Sequence, residues 1–235
     1  MTKKRALLLI KSDPPINRET EWNTWYHSEH IPDRLAIPGF LSARRFTYIE
    51  GTPKPFAIAG EPKYLTLYDL ANANVLKSEP HRALLEREGS QHSDSFEVLN
   101  LSLPKLACGV YEQIYPTQGA YNPPHRSKFI HLVAHEVPRS KREEFNAWYD
   151  TEHIPAMLRV PGLFLTVRRF ALAKGKFPGI RGSLPAYLSV YDVENEKMFE
   201  SNVYIKETAS PWSTWVRSWF TRKMCALYHR IYPND

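Results

Sequence analysis

Residues 21–40 read EWNTWYHSEHIPDRLAIPGF, and residues 144–163 read EFNAWYDTEHIPAMLRVPGL. The two stretches are identical at 11 of 20 positions and start 123 residues apart. Three further segments recur in the same order: 44–46 with 168–170, 64–69 with 187–192, and 108–116 with 225–233. Self-similarity at a nearly fixed spacing over most of a chain indicates a repeated supersecondary unit. The sequence therefore predicts a tandem duplication.

The duplication divides the chain of 235 residues into two domains of similar size. We assign 1–118 to the first repeat and 127–235 to the second repeat. Between them, 119–126 reads GAYNPPHR, and its two prolines and one glycine are typical of a linker. A chain of this length can bury a substantial core.

Composition excludes several classes of function. The formal net charge is only +6, and the basic residues are scattered instead of forming the stripe that a nucleic-acid partner requires. No stretch is apolar and long enough to cross a membrane, and the run 6–10 is too short for a signal peptide. The two cysteines indicate free thiols in a reducing compartment. We therefore expect a cytoplasmic protein with a small-molecule ligand, no nucleic-acid or membrane partner, and a monomeric or homodimeric state.

Each repeat has the pattern strand, helix, strand, strand, helix, strand. Apolar runs and alternation predict strands over 5–12, 40–49, 63–70 and 105–115, and again over 128–136, 163–173, 186–193 and 223–232. Helical periodicity predicts helices over 17–35, 73–88, 141–158, 194–208 and 211–220. Pro32 lies near the end of the first helix, where it must stop or kink that helix.

This pattern is that of the ferredoxin-like βαββαβ unit, an antiparallel sheet with helices on one face. The other face of each sheet must be buried, and the nearest partner is the other repeat. We therefore predict an α+β fold in which two ferredoxin-like repeats pair sheet to sheet as a single-chain pseudo-dimeric α/β barrel.

The motif W-Y-x-x-E-H-I-P, followed by P-G and by an R-R-F strand, resembles the dimeric α/β-barrel superfamily, particularly its EthD-like branch. The resemblance covers both repeats. It implies a small-molecule pocket between each sheet and its own helices. The superfamily includes cofactor-free cyclases, lactone isomerases, monooxygenases and lyases, together with some haem enzymes. The EthD-like branch includes accessory proteins of catabolic pathways.

The candidate catalytic residues are two histidines and two tyrosines. His30 and His153 end the first helix of each repeat, where an imidazole could act as an acid and base or could instead bond the last helix carbonyls. Tyr68 and Tyr191 lie on strands, where a phenol could polarise a carbonyl group or simply pack in the core.

The candidate substrate-binding residues are mostly aromatic, and core packing is the alternative for them: Trp25, Tyr26, Trp148, Tyr149, Glu152, Trp212 and Trp215. Glu29 and Glu152 could orient the neighbouring histidine or act as a base, and the alternative for them is a salt bridge to the paired arginines of the next strand, Arg44–Arg45 or Arg168–Arg169.

Metal and nucleophile chemistry is less well supported by the sequence. His131 and His135 share one strand face and could bind a metal, but no third ligand is visible nearby. Haem would need a proximal ligand such as His153 or His229. Cys108 and Cys225 could act as nucleophiles or could be inert core thiols. We therefore expect no metal and no cofactor.

These observations predict a cofactor-independent lyase, cyclase or isomerase that moves protons on a small apolar or aromatic substrate. The alternative is a non-catalytic EthD-like accessory protein or small-molecule-binding protein. The second repeat has extra histidines and a tryptophan-rich helix over 211–220, so we expect it to hold the principal ligand site.

Overall fold

The computed structural model describes residues 4–50, 61–101, 103, 106–117, 124, 127–160, 162–180 and 184–233. The strands are β1 Ala6–Ser12, β2 Phe40–Tyr48, β3 Tyr64–Leu70, β4 Ala107–Tyr115, β5 Phe129–Glu136, β6 Phe164–Leu172, β7 Tyr187–Val193 and β8 Arg222–Tyr232. The α-helices are α1 Glu19–Trp25, α2 Ile31–Leu35, α3 Glu79–Gly89, α4 Phe96–Leu101, α5 Arg142–Trp148, α6 Ile154–Leu158, α7 Asn202–Glu207 and α8 Pro211–Arg217. Short 3₁₀ helices span Ala73–Lys77, Arg139–Lys141 and Glu196–Glu200.

The eight strands form one closed antiparallel barrel in the order β1-β3-β2-β8-β5-β7-β6-β4. Strands β1–β4 come from the first half of the chain and β5–β8 from the second. The halves join where β2 pairs with β8 and where β4 pairs with β6. The predicted eight-stranded α+β barrel is therefore confirmed. The halves do more than stack face to face, because closure of the sheet leaves neither half an unpaired edge.

Apolar side chains form three clusters that follow from strand alternation. One cluster fills the barrel interior and includes Leu67 of β3 and Val190 of β7. The other two lie between the outer face of each half's sheet and that half's helices. The helices thus cover the barrel from outside.

The interior also holds two reciprocal ion pairs. Arg44 of β2 lies 2.6 Å from Asp192 of β7, and Arg168 of β6 pairs with Asp69 of β3. Each arginine comes from one half and each aspartate from the other, as in an interface between two related units. The expected salt bridges from Glu29 or Glu152 to these arginines are wrong, because the arginines point into the barrel or stack under the helices.

The second arginine of each Arg-Arg pair points outward and lies under the first helix of its own half. Arg45 lies 4.1 Å from the ring centre of Tyr26, and Arg169 lies 4.0 Å from that of Tyr149. Cation–π contact of this kind compensates the burial of a guanidinium. The recurring Trp-Tyr and Arg-Arg segments therefore dock the helix onto the sheet.

The first helix of each half contains a π-helical turn, at Tyr26–His30 and at Tyr149–His153. The prediction of one continuous helix over each region missed this feature. A proline follows each turn by two residues, at Pro32 and Pro155, and its ring would clash with the carbonyl four residues earlier in a regular α-helix. The wider turn accommodates the proline, so the helix does not stop there but continues as α2 or α6.

Other sequence expectations differ in detail. The helix predicted over 73–88 is divided into the 3₁₀ helix Ala73–Lys77 and α3, and Pro80 lies in the first turn of α3. The sequence analysis did not predict α4, which follows a polar stretch. The predicted linker 119–126 lies outside the described residues except for Pro124, and so does 51–60.

The interior ion pairs predict a large effect on stability. Asp192 accepts hydrogen bonds from Arg44 at 2.6 Å and Ser127 at 2.9 Å and is fully buried. Because Asp192→Ala leaves a buried guanidinium without its counter-charge, we expect the free energy of unfolding to fall by about 3–5 kcal/mol in urea titrations. Asp33→Ala removes the exposed pair with Arg87 and should cost less than about 1 kcal/mol. Equal losses in the two variants would contradict this account.

Candidate functional site

A cavity of about 170 Å³ lies between the outer face of the second half's sheet and its helices. Its walls are aromatic rings, imidazoles and aliphatic groups, with a few cationic side chains. The lining residues include His131, His135, Trp148, His153, Met157, Tyr191, Arg217, Lys223 and Cys225. The site thus has the mixed apolar and polar wall that small-molecule pockets show.

The π-turn places His153 at the cavity. Its ring stacks on Trp148 with centroids 4.5 Å apart and meets Tyr149 edge-on at 5.0 Å. The side chain keeps part of its surface accessible and lines the cavity. Its Nδ1 atom is enclosed and has no hydrogen-bond partner among the described residues. The imidazole is therefore oriented by packing and is available to a ligand.

Two further imidazoles come from β5. His131 and His135 share one face because alternate residues of a strand point to the same side. The ring of His135 lies 4.2 Å from that of Phe220, and Nε2 of His131 lies 3.6 Å from Sγ of Cys225. Three histidines from two elements therefore meet at one cavity.

Burial keeps all three imidazoles neutral. It lowers the pKa of His131 to about 3 and the pKa of His153 to about 3, in the latter case with the help of the nearby Arg217 charge. The pKa of His135 is also well below its usual range, first through burial and then through Lys223. Burial raises the pKa of the Cys225 thiol to about 12. Cys225 is therefore a thiol at neutral pH and a poor nucleophile.

The corresponding space in the first half is a cavity of only about 60 Å³. Arg34 occupies much of the region, with Nη1 at 3.0 Å from Nδ1 of His30 and at 2.8 Å from Glu88. The repeat alignment places Met157 opposite Arg34. The two halves therefore differ at a position that lines both cavities, with an ion-paired arginine at the smaller one and a methionine at the larger one.

The structure brings four of the predicted site residues together at the larger cavity: His153, Tyr191, Trp148 and Tyr149. In the first half, His30 borders the smaller cavity, whereas Trp25, Tyr26 and Tyr68 belong to the packed core.

Three predicted substrate-binding residues lie away from the larger cavity. Glu152 accepts hydrogen bonds from Ser210 and Ser213 at the start of α8. Trp212 packs against the second-half core without lining the cavity, and Trp215 is 56% exposed beside Trp219.

The sequence analysis missed Arg217, Lys223 and Met157 as residues of this cavity. One signal for this cavity was present in the sequence: the repeat alignment places Met157 where the first repeat has Arg34. Nothing in the sequence indicated that Arg217, at the end of α8, reaches the same space as the imidazoles.

The cavity does not fit a haem group. A cavity of about 150 Å³ holds one benzene ring, whereas a porphyrin has four pyrrole rings. His229 is exposed on β8 and does not line the cavity. Within the described ranges, no three His, Cys, Asp or Glu side chains are placed to hold a metal ion.

Comparison with known proteins identifies the fold. No protein-family profile and no curated protein sequence matches the chain. Among solved structures, an anthrone oxidase-like protein superposes with a TM-score of 0.61 at 11% identity, over 98% of this chain and 92% of the other. A candidate monooxygenase from Fusobacterium nucleatum gives a TM-score of 0.59 at 10% identity, over 98% and 94% of the two chains.

A candidate monooxygenase from Lactobacillus acidophilus superposes with a TM-score of 0.56 at 14% identity, over 97% of this chain and 94% of the other. A candidate chlorite dismutase superposes with a TM-score of 0.51 at 10% identity, over 97% of this chain and 95% of the other. At these identities the likeness establishes a shared α+β-barrel fold. The EthD-like branch is not confirmed. The expectation of a cofactor-independent lyase, cyclase or isomerase is corrected, because these neighbours have names from oxidative chemistry. None of the helices in the described part of the chain is long and apolar enough to cross a bilayer.

The neutral imidazoles predict a dependence of stability on pH. His131 and His153 have pKa values of about 3 in the fold, whereas a histidine in an unfolded chain titrates near 6.5. The unfolded chain therefore binds more protons between pH 3 and 6.5. The contribution of these neutral histidines to the free energy of unfolding is fully present above pH 6.5. It is lost as the pH falls toward 3, by up to about 1.4 kcal/mol per pH unit for each histidine.

Urea titrations at pH 7 and pH 5 test this expectation. Between pH 7 and pH 5, His131→Leu should lose less unfolding free energy than the natural protein, because leucine cannot take up a proton. Leucine is the chosen replacement because Leu8 occupies the equivalent position in the first half. His92→Leu is the matched control, since the His92 side chain is 83% exposed. The expectation fails if His131→Leu and the natural protein lose the same stability.

Proposed function

We propose that the protein is an oxidoreductase of the oxidase or monooxygenase type that acts on a small, single-ring aromatic compound in the second-half cavity. The observation that carries the proposal is a cavity of about 170 Å³ whose wall combines aromatic rings with three neutral imidazoles. Its volume is close to that of a cavity known to hold one benzene ring.

His153 is the proposed proton acceptor. A neutral imidazole can take a proton, and a weakly basic one becomes more basic when an anion forms beside it. A phenol that gives its hydroxyl proton to His153 becomes an electron-rich phenolate. Reaction with dioxygen then balances as phenol plus O₂ giving quinone plus water: a new C–O bond forms at the ring, the ring is oxidised, and the second oxygen leaves as water.

Two of the other site residues would bind or orient the ring. Trp148 stacks on His153, so a ring placed beside His153 also meets an aromatic wall. The phenol group of Tyr191 is buried on the cavity side of β7, and burial keeps its pKa well above the usual range. A neutral tyrosine can donate a hydrogen bond to an oxygen atom of the substrate.

The fold neighbours support the class of reaction without fixing it. Two are named as candidate monooxygenases and one as anthrone oxidase-like. We also include in this proposal the origin of the chain by tandem duplication of a ferredoxin-like unit, the division at 119–126, a cytoplasmic location, and a monomeric or homodimeric state.

Oxygen uptake tests the proposal. A panel of single-ring phenols and hydroquinones is offered to the protein in an oxygen electrode, and products are identified by mass spectrometry under ¹⁸O₂. We expect His153→Ala to lower kcat/KM by roughly 10²–10⁴-fold, the usual contribution of a general acid or base. We expect His30→Ala to change kcat/KM by less than about threefold, because His30 borders only the smaller, first-half cavity of about 60 Å³.

The melting temperatures of both variants control for folding, since each replaces a packed imidazole. Consumption of oxygen with equal losses in the two variants would reject His153 as the proton acceptor. Saturable binding of phenols without oxygen uptake would leave a small-molecule-binding protein and would contradict the oxidoreductase assignment.

A further inference from the structure

Arg217 differs from the other buried arginines of the molecule. It ends α8, lines the second-half cavity and is half-buried, and its Nη1 donates a hydrogen bond to the Thr208 carbonyl at 2.6 Å. It has no carboxylate partner among the described residues. Four buried arginines each face a carboxylate: Arg34 with Glu88, Arg44 with Asp192, Arg168 with Asp69, and Arg169 with Asp150. A fifth, Arg45, has no carboxylate but donates to Asn23 and lies over the ring of Tyr26. Arg217 has neither a carboxylate nor a stacked aromatic ring among the described residues, so its charge is left for a ligand.

The charged residues that line the cavity in the described part of the chain are cationic. Lys223 of β8 lines it together with Arg217, and no aspartate or glutamate lines it among the described residues. The three imidazoles there are neutral. A cavity with cationic groups and no acidic group attracts anions, and its low-dielectric wall strengthens that attraction.

The Thr208 contact fixes how the guanidinium is presented. Nη1 is bonded to a backbone carbonyl, whereas Nε and Nη2, which form one edge of the planar group, have no hydrogen-bond partner among the described residues. A planar carboxylate matches such an edge with parallel hydrogen bonds. The charge of Arg217 is also the strongest of the cationic influences on His153, so the two groups act within the same space.

We propose that Arg217 binds the carboxylate of a single-ring aromatic acid, with the ring in the second-half cavity and its opposite side facing His153. The inference rests on the proposed function in using the same cavity, and it narrows the substrate class from aromatic compounds to aromatic carboxylates. Arg217 is thereby a specificity-determining residue. It supplies the counter-charge at one end while His153 serves the reactive end.

Calorimetric titration with benzoate and benzamide at pH 7.5 tests the inference. The two probes have nearly the same shape, and only benzoate is charged. We expect the natural protein to bind benzoate at least about tenfold more tightly than benzamide, because hydrogen bonds to charged groups are the stronger ones. In Arg217→Met the affinity for benzoate should fall by roughly 10- to 100-fold, while benzamide binding stays within about threefold.

Unchanged benzamide binding shows that the Arg217→Met cavity is still folded. Arg217→Lys keeps the charge but loses the planar edge, so it should retain part of the preference for benzoate. Arg159→Met is the matched control, because Arg159 is exposed and pairs with Glu207 at 3.3 Å. It should bind both probes as the natural protein does.

The outcomes separate this inference from the proposed function. Equal binding of benzoate and benzamide, or a preference that survives Arg217→Met, would overturn the carboxylate site and leave an aromatic cavity intact. Binding of neither probe to the natural protein would overturn both. A preference that falls equally in Arg217→Met and Arg159→Met would show a general charge effect and would likewise overturn the assignment.

Discussion

The pairing of Arg44 with Asp192, repeated as Arg168 with Asp69, is the constraint on which the rest of the structure depends. Each pair joins the two halves inside the barrel, where little water can solvate the charges. Removing one partner leaves an uncompensated buried charge, so the halves are held in a single register. Closure of the barrel at the β2–β8 and β4–β6 seams then sets the outer face on which each half's helices lie.

Within this nearly symmetric frame, the two outer faces have different uses. In the first half, Arg34 bonds His30 and Glu88, and the cavity beside them measures only about 60 Å³. In the second half, Met157 lines the larger cavity, and His131 and His135 replace Leu8 and Ser12 on the equivalent strand. The scaffold therefore stays common to both halves, while a few side chains decide which half can admit a ligand.

Much of the architecture could be predicted from the sequence because it depends on periodicity. The eight strands appear within a few residues of their expected limits, since alternation and apolar runs are local signals. The roles of the paired arginines could not be predicted, because Asp192 lies 148 positions from Arg44 and only the closed barrel brings them together. The role of Arg217 could not be predicted either, because only the folded structure brings the end of α8 to the cavity. The π-turn could not be predicted, because its cause, a proline inside the helix, has several possible structural outcomes.

A crystal structure of the protein with 4-bromobenzoate tests the central claim most directly, because the anomalous signal of bromine locates the ligand without reference to the protein. The account predicts one bromine peak in the second-half cavity, with the carboxylate at Arg217 and the opposite side of the ring toward His153. A peak in the first half beside Arg34, or peaks only on the outer surface, would contradict it.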